Sequence, residues 1–282
     1  MPQSATDVQP QNALSPAVYI VGAGPGAPDL ITVRGQRLLS QADVVLYANS
    51  LVPTELLADV RPEAEQIGTA NLTLEQIVEL MVDRVRSQQS VVRLHDGDPS
   101  LYSALYEQGR ALAAAEIPFE VVPGVSAFQA AAATLQTELT VPQQVQSIIL
   151  TRISGRTQVP EAEELGALAA HQASLCLYLS ARHVENAQAR LLEHYPADMP
   201  IAICYRVGWP DEKIWQVPLA QMAAKTHAEN LIRTTLYLIS PALVAHQQAD
   251  GSRSQLYRPS HSHLFRPHRK PADRKPADRK PR

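Results

Sequence analysis

Short β-branched apolar runs alternate with longer stretches of helical periodicity along most of the chain. VYIVG (18–22), DVVLY (43–47), VVRLH (91–95) and FEVV (119–122) read as strands. Between them, Leu30, Val33, Leu38 and Ala42 suit one face of a helix. Leu74, Ile77, Val78, Met81, Val82 and Val85 form a clearer i, i+3, i+4 stripe behind a capping Thr73. A further helix is expected over LYSALYEQGRALAAA (101–115). This alternation predicts βαβ units and a mainly parallel sheet.

A proline-containing stretch, LTVPQQ (139–144), separates that half from a second series, SIILT (147–151), SLCLYL (174–179), IAICYR (201–206), KIWQV (213–217) and TLYLIS (235–240). Helices are expected near 161–171, 183–194 and 218–227. KIWQV follows WPDE as a hairpin partner would, so the second sheet should be mixed. The expectation is two α/β domains, 17–140 and 145–245. A length of 282 residues accommodates two such cores.

Composition narrows the class. With 45% apolar and 19% charged residues the chain is an ordinary globular one rather than fibrous or disordered. No apolar run approaches the roughly 18 residues needed to span a bilayer. The first basic residue is Arg34, so neither a signal nor a transit peptide is expected, and a cytoplasmic location follows. Residues 1–16 are rich in Gln, Ser and Pro and read as a disordered leader.

The net charge of −3 conceals an asymmetry: residues 253–282 carry ten Lys or Arg against two Asp, leaving −11 on the rest. A basic segment can bind nucleic acid, a membrane or an acidic partner. Here the repeated PADRK of 271–280 favours a solvated, disordered tail over 250–282, with neither nucleic acid nor membrane as partner. Cys176 and Cys204 lie inside apolar strands without a CxxC or His-rich neighbourhood and read as core thiols.

The candidate chemistry sits at strand ends. Gly22-Ala23-Gly24-Pro25-Gly26-Ala27 follows the first strand and superficially matches a dinucleotide fingerprint. Pro25 removes a backbone donor, and the second strand ends in Ala48 and Asn49 instead of the acid that would hold a ribose; Asp43 sits at its wrong end. A nicotinamide site is therefore set aside. Either a sharp strand-to-helix turn or a ligand-approach loop accounts for the glycines. His95-Asp96-Gly97-Asp98-Pro99-Ser100 forms a second turn, in which Asp98 and Pro99 serve equally as an ordinary helix start or as ligand contacts. Val122-Pro123-Gly124-Val125-Ser126-Ala127 forms a third. His95 reads as a structural histidine. Arg152, Arg156, Arg182 and Arg206, at or after second-half strands, are candidates for binding carboxylates or are solvated surface charges.

With VGAGPG, the GDP turn and the VPGVS turn in this order, the chain resembles the tetrapyrrole methyltransferases. LYANSLVP (46–53), LHDGDPSLY (94–102), LTVPQQVQSIILTRISGRTQVPE (139–161) and YRVGWPDEKI (205–214) make it most similar to those acting on carbon 11 of precorrin-4 or cobalt-precorrin-4, over residues 17–245. The resemblance implies an S-adenosyl-L-methionine-dependent methyltransferase of corrin-ring biosynthesis, a homodimer without a protein-bound metal, with the donor between two α/β domains. It assigns donor binding to Pro25, Asp96, Gly97, Asp98, Leu101, Ser126, Ala127, Leu179, Tyr205 and Thr235, and substrate binding to Asn49, Ser50, Arg152 and Arg156. No residue is assigned as a catalytic base. The chain departs from the family pattern at Ala27, where Asp is frequent, and at Asn49, Asp96 and Ser103, where Gly, Thr and Gly are frequent.

Overall fold

The β-branched runs form strands because they can be buried on both faces once helices cover the sheet. A computed structural model describes residues 14–243, 258, 261, 262 and 264–266. The first sheet contains β1 (Val18–Gly22), β2 (Val44–Tyr47), β3 (Glu65–Gly68), β4 (Val91–His95) and β5 (Phe119–Val122), in the order β3-β2-β4-β1-β5. Every pairing in it is parallel. Helices α1 (Val33–Leu39), α2 (Leu74–Arg86) and α3 (Leu105–Ala114) connect the strands. Leu38 and Leu39 of α1 pack on the face that shows Val21, Val45 and Val92, while α2 and α3 cover the face that shows Ile20, Leu46 and Val91.

From β1 the chain moves across β4 to β2, and from β4 it moves across β1 to β5. The two connections leave on opposite faces of the sheet, α1 on the Val21 face and α3 on the Ile20 face, so the carboxyl ends of β1 and β4 form the switch point at which a crevice lies.

The second sheet joins β6 (Ile148–Arg152), β7 (Ser174–Tyr178), β8 (Pro200–Tyr205), β9 (Lys213–Pro218) and β10 (Thr235–Ile239) in the order β6-β7-β10-β8-β9. Only β6 and β7 are parallel, and β9 pairs antiparallel with β8 as the expected hairpin. One face, with Leu175, Leu177, Ile201, Ile203 and Tyr237, is packed with residues of α5 (Leu165–Ala169), α6 (Val184–Leu192) and α7 (Met222–Ala228). The opposite face, with Cys176, Ala202, Cys204, Leu236 and Leu238, is covered by Ala130 and Ala131 of α4 (Ala127–Thr134). Helix α4 precedes the 139–144 stretch in sequence, yet it packs on the sheet that follows it. The change of core therefore occurs at the third turn, ahead of the proline-containing stretch.

Several expectations need correction. Val33 is 85% exposed, so the apolar face of α1 is carried by Leu38 and Leu39. The helix expected from 101 begins at Leu105, because Tyr102 and Ala104 take left-handed backbone angles with φ of 55° and 56°. The two cysteines, by contrast, are buried and unpaired as expected of core thiols, and burial pushes the Cys176 thiol up to about 12. Most of the leader over 1–16 and of the tail over 250–282 lies outside the described residues; Leu14 packs against the core of the first sheet. Asp43, at the amino end of β2, accepts from Ser90 N–H at 2.7 Å and from the Ser90 hydroxyl at 2.6 Å, and it pairs with Arg61. It fastens the sheet at the end opposite the crevice.

Candidate active site

The three glycine-containing turns meet because β4, β1 and β5 are neighbours. Gly97 donates to the Gly24 carbonyl at 2.7 Å, Ala23 donates to the His95 carbonyl at 2.7 Å, and Gly24 and Gly97 form an isolated bridge. A Cβ on Gly22 would stand 2.6 Å from the Gly124 Cα and 2.7 Å from the Gly97 oxygen. These glycines are thus required for close approach of three backbones.

Asp98 completes the assembly. One carboxylate oxygen accepts from Gly124 N–H at 2.8 Å, and the other accepts from Ser100 N–H at 2.8 Å and from the Ser100 hydroxyl. Burial works against its charge, but these hydrogen bonds outweigh it and hold the carboxyl below the ordinary range. Asp96, in contrast, is exposed to the crevice, and crowding by surrounding protein raises its pKa.

The carboxyl ends of β7 and β8 and the start of β10 close the other side. Tyr178, ending β7, shares a hydrogen bond with Ser126 Oγ at 3.0 Å and accepts from Phe128 N–H at 3.1 Å, which pins the start of α4. Its ring lies 5.7 Å from that of Tyr102. Leu179 is 65% exposed with φ of 53°, so its backbone and side chain are presented to the crevice. Tyr205, at the end of β8, lies opposite Thr235 of β10. Trp209 sits over Gly26, where a Cβ would come within 2.7 Å of Nε1, so the first turn abuts the loop after β8.

Apart from Gln143 in the proline-containing stretch, the non-glycine residues with positive φ among those described fall into two groups. Gln88, Glu116, Gln136, Gln172 and Asn230 follow helix ends, where such angles are usual. Tyr102, Ala104, Leu179, Arg206 and Thr234 instead surround the crevice. Strained backbone held at one place marks a functional site.

Of the residues assigned from sequence, Pro25, Asp96, Gly97, Asp98, Leu101, Ser126 and Ala127 lie on the three adjoining turns, and Leu179, Tyr205 and Thr235 lie at strand ends of the second sheet. Asn49 and Ser50 follow β2 and are exposed; the Asn49 side-chain oxygen accepts from Ala70 N–H at 3.1 Å. The arginines divide. Arg152 folds onto its own loop, donating to the carbonyls of Thr157 at 2.9 Å and Gln158 at 3.0 Å. Arg206 is committed elsewhere: it stacks 3.9 Å from the Trp209 ring centroid and pairs with Asp211 at 2.7 Å. Arg156 and Arg182 are exposed.

A buried polar group beneath the second turn was not legible in the sequence. Gln108, 1% exposed, donates to the Ser103 and Ala104 carbonyls at 3.0 and 3.3 Å and lies 3.3 Å from His95 Nε2. Burial and the neighbouring Arg93 charge lower the His95 pKa to about 4. The unit fixes the 103–104 loop to the end of β4. A groove of about 460 Å³ lined by Val145, Ile149 and His171 lies at the amino ends of β6 and β7, away from the turns.

The family sequence model of the tetrapyrrole (corrin/porphyrin) methylases matches residues 17–223. The chain is 48% identical over 250 residues to the precorrin-4 C(11)-methyltransferase of Pseudomonas aeruginosa, covering 89% of this chain and 98% of that one. A solved cobalt precorrin-4 methyltransferase superposes with a TM-score of 0.78 at 43% identity, covering 80% of this chain and 95% of the other. A uroporphyrin-III C-methyltransferase of Thermus thermophilus, solved in complex with S-adenosylhomocysteine, gives 0.67 at 27% identity, covering 80% and 93%. The three joined turns, the mixed second sheet and these likenesses agree: the chain belongs to the tetrapyrrole methylases.

Proposed function

We propose that the protein transfers the methyl group of S-adenosyl-L-methionine to carbon 11 of precorrin-4 or cobalt-precorrin-4 in corrin-ring biosynthesis. The observation that carries this reading is the near full-length identity to a precorrin-4 C(11)-methyltransferase. Features of the crevice support donor binding there. A Cβ-free turn leaves backbone accessible at Gly97, Leu179 has strained, exposed backbone, and Asp96 offers a carboxylate.

When bound, the sulfonium donor supplies an already activated methyl group. The protein's own contribution is alignment. Pro25, Asp96, Gly97, Leu101, Ser126 and Ala127 bind from the first sheet, and Leu179, Tyr205 and Thr235 from the second. Asp98 keeps the second and third turns in register. Holding donor and ring carbon in line can lower the barrier by roughly 7–11 kcal/mol, and closure between the sheets excludes water as a secondary effect. Asn49, Ser50, Arg152 and Arg156 border the substrate, with Arg152 acting chiefly through the loop it organises.

The same reading includes a homodimer in the cytoplasm. Among the described residues no helix is long and apolar enough to cross a membrane. Calorimetry with S-adenosylhomocysteine and with NAD tests the reading: binding of the first and not the second is expected, and the reverse would make the site a dinucleotide one.

A further inference from the structure

Arg93 occupies the middle of β4, opposite Ile20 of β1 and Leu46 of β2, both wholly buried. A guanidinium among such neighbours is unfavourable unless a counter-charge meets it. The residue is 6% exposed. One terminal nitrogen donates to Thr69 Oγ1 at 2.9 Å, while Nε is buried without a partner. The remaining terminal nitrogen has no hydrogen-bond partner either, but reaches the accessible surface.

None of the ion pairs among the described residues includes Arg93, whereas Arg61, Arg84 and Arg206 each hold a carboxylate directly. Asp96 acts on it only as a nearby charge. Burial draws the Arg93 pKa down to about 10, which leaves it charged at neutral pH.

The strand register gives the direction of the side chain. Arg93 is level with Leu46, and Leu46 with Ile67 of β3. Thr69 lies two residues further along, so the guanidinium runs toward the carboxyl ends of β2 and β3. There it approaches the segment where Asn49 packs against Gly68 and accepts from Ala70.

We propose that Arg93 is a carboxylate-binding subsite that receives one peripheral carboxylate of the tetrapyrrole at the β2–β3 end of the crevice. This rests on the methyltransferase reading above. A polycarboxylate ring needs cations, and of the four arginines at or after second-half strands, Arg152 and Arg206 are engaged with carbonyls and with Trp209 and Asp211, which leaves only the exposed Arg156 and Arg182. Arg93 has both the charge and an unoccupied donor.

The test compares R93Q and R93K with the wild type, using precorrin-4 for kinetics and S-adenosylhomocysteine for calorimetry. In R93Q the KM for precorrin-4 should rise about ten- to a hundredfold, as for loss of a hydrogen bond to a charged group, with kcat changed less. R93K should recover part of the loss, and affinity for S-adenosylhomocysteine should stay within about twofold in both, since the guanidinium runs toward Thr69 and not onto the donor-binding turns. An unchanged KM in folded R93Q would overturn the subsite, as would an equal loss of S-adenosylhomocysteine affinity, which would make Arg93 a support for the turns. Should R93Q not fold, an R93K protein with wild-type KM and kcat but a lowered Tm overturns the subsite, and a raised KM supports it. A wild type that transfers nothing to precorrin-4 or to cobalt-precorrin-4 overturns the functional reading as well, whereas a wild type active on either, with an unaffected variant on that substrate, overturns the subsite alone.

Discussion

The Asp98 carboxylate accepts a hydrogen bond from the backbone N–H of Gly124 at 2.8 Å, so the turn after β4 holds the turn after β5. Asp98→Ala should therefore weaken binding of S-adenosylhomocysteine by about 1–3 kcal/mol, the consequence of an amide left without its acceptor and a loosened turn. Calorimetry reads the affinity and circular dichroism the fold. Unchanged affinity in the folded variant would remove Asp98 from the site.

Gly22 has no room for a side chain. A Cβ would meet Gly124 Cα at 2.6 Å and the Gly97 oxygen at 2.7 Å, and both are backbone atoms that cannot rotate away. Gly22→Ala should cost about 1–3 kcal/mol of stability through overpacking. In the folded fraction donor binding should also fall, because the three turns can no longer touch. A urea midpoint equal to the wild type would contradict this packing.

Tyr178 ties the end of β7 to the third turn and the start of α4 through its hydroxyl, which burial pushes up to about 12 and thus keeps protonated. Tyr178→Phe retains the ring but leaves Phe128 N–H without that acceptor, so stability should drop by about 1–3 kcal/mol. Denaturation by urea measures the loss, and a difference within about 0.3 kcal/mol would mean water replaces the hydroxyl at no cost.

His95 predicts a pH dependence. Its folded pKa is lowered to about 4 from 6.5. As pH falls below 6.5 the unfolded ring takes up a proton that the folded ring refuses until about pH 4, so stability declines across that window. The full difference is on the order of 3 kcal/mol. Comparing the wild type with His95→Gln isolates it: the wild type should lose more stability between pH 6.5 and 4. Parallel curves would show that the ring titrates normally.

The strands rich in Val, Ile and Leu were readable because burial on both faces demands such runs, and the hairpin of β8 and β9 was readable from its polar turn. Strand β3, Glu65–Gly68, lies at a sheet edge with polar and partly exposed positions, so neither alternation nor an apolar run announces it. Helix α4 is nearly all alanine and small residues, and its partner face belongs to strands that come later in the chain, a relation that local periodicity cannot express.

At the site, the glycine turns were legible as turns, because close backbone approach forces glycine. Their mutual contact was not, since it depends on the strand order. The left-handed angles at Tyr102 and Ala104 leave no signature in ordinary side chains. Arg206 looked free because its partners, Trp209 and Asp211, reach it only through the fold of one loop. Arg93 was concealed inside an apolar strand.

The most direct test of the central claim supplies S-adenosylmethionine bearing a carbon-13 methyl group to the purified protein with precorrin-4, and in parallel with cobalt-precorrin-4, and locates the label by NMR. The account predicts one new methyl carbon per ring, bonded to carbon 11, with one S-adenosylhomocysteine formed for each. A label at another ring carbon, or no transfer to either precursor by folded protein that binds the donor, would contradict it.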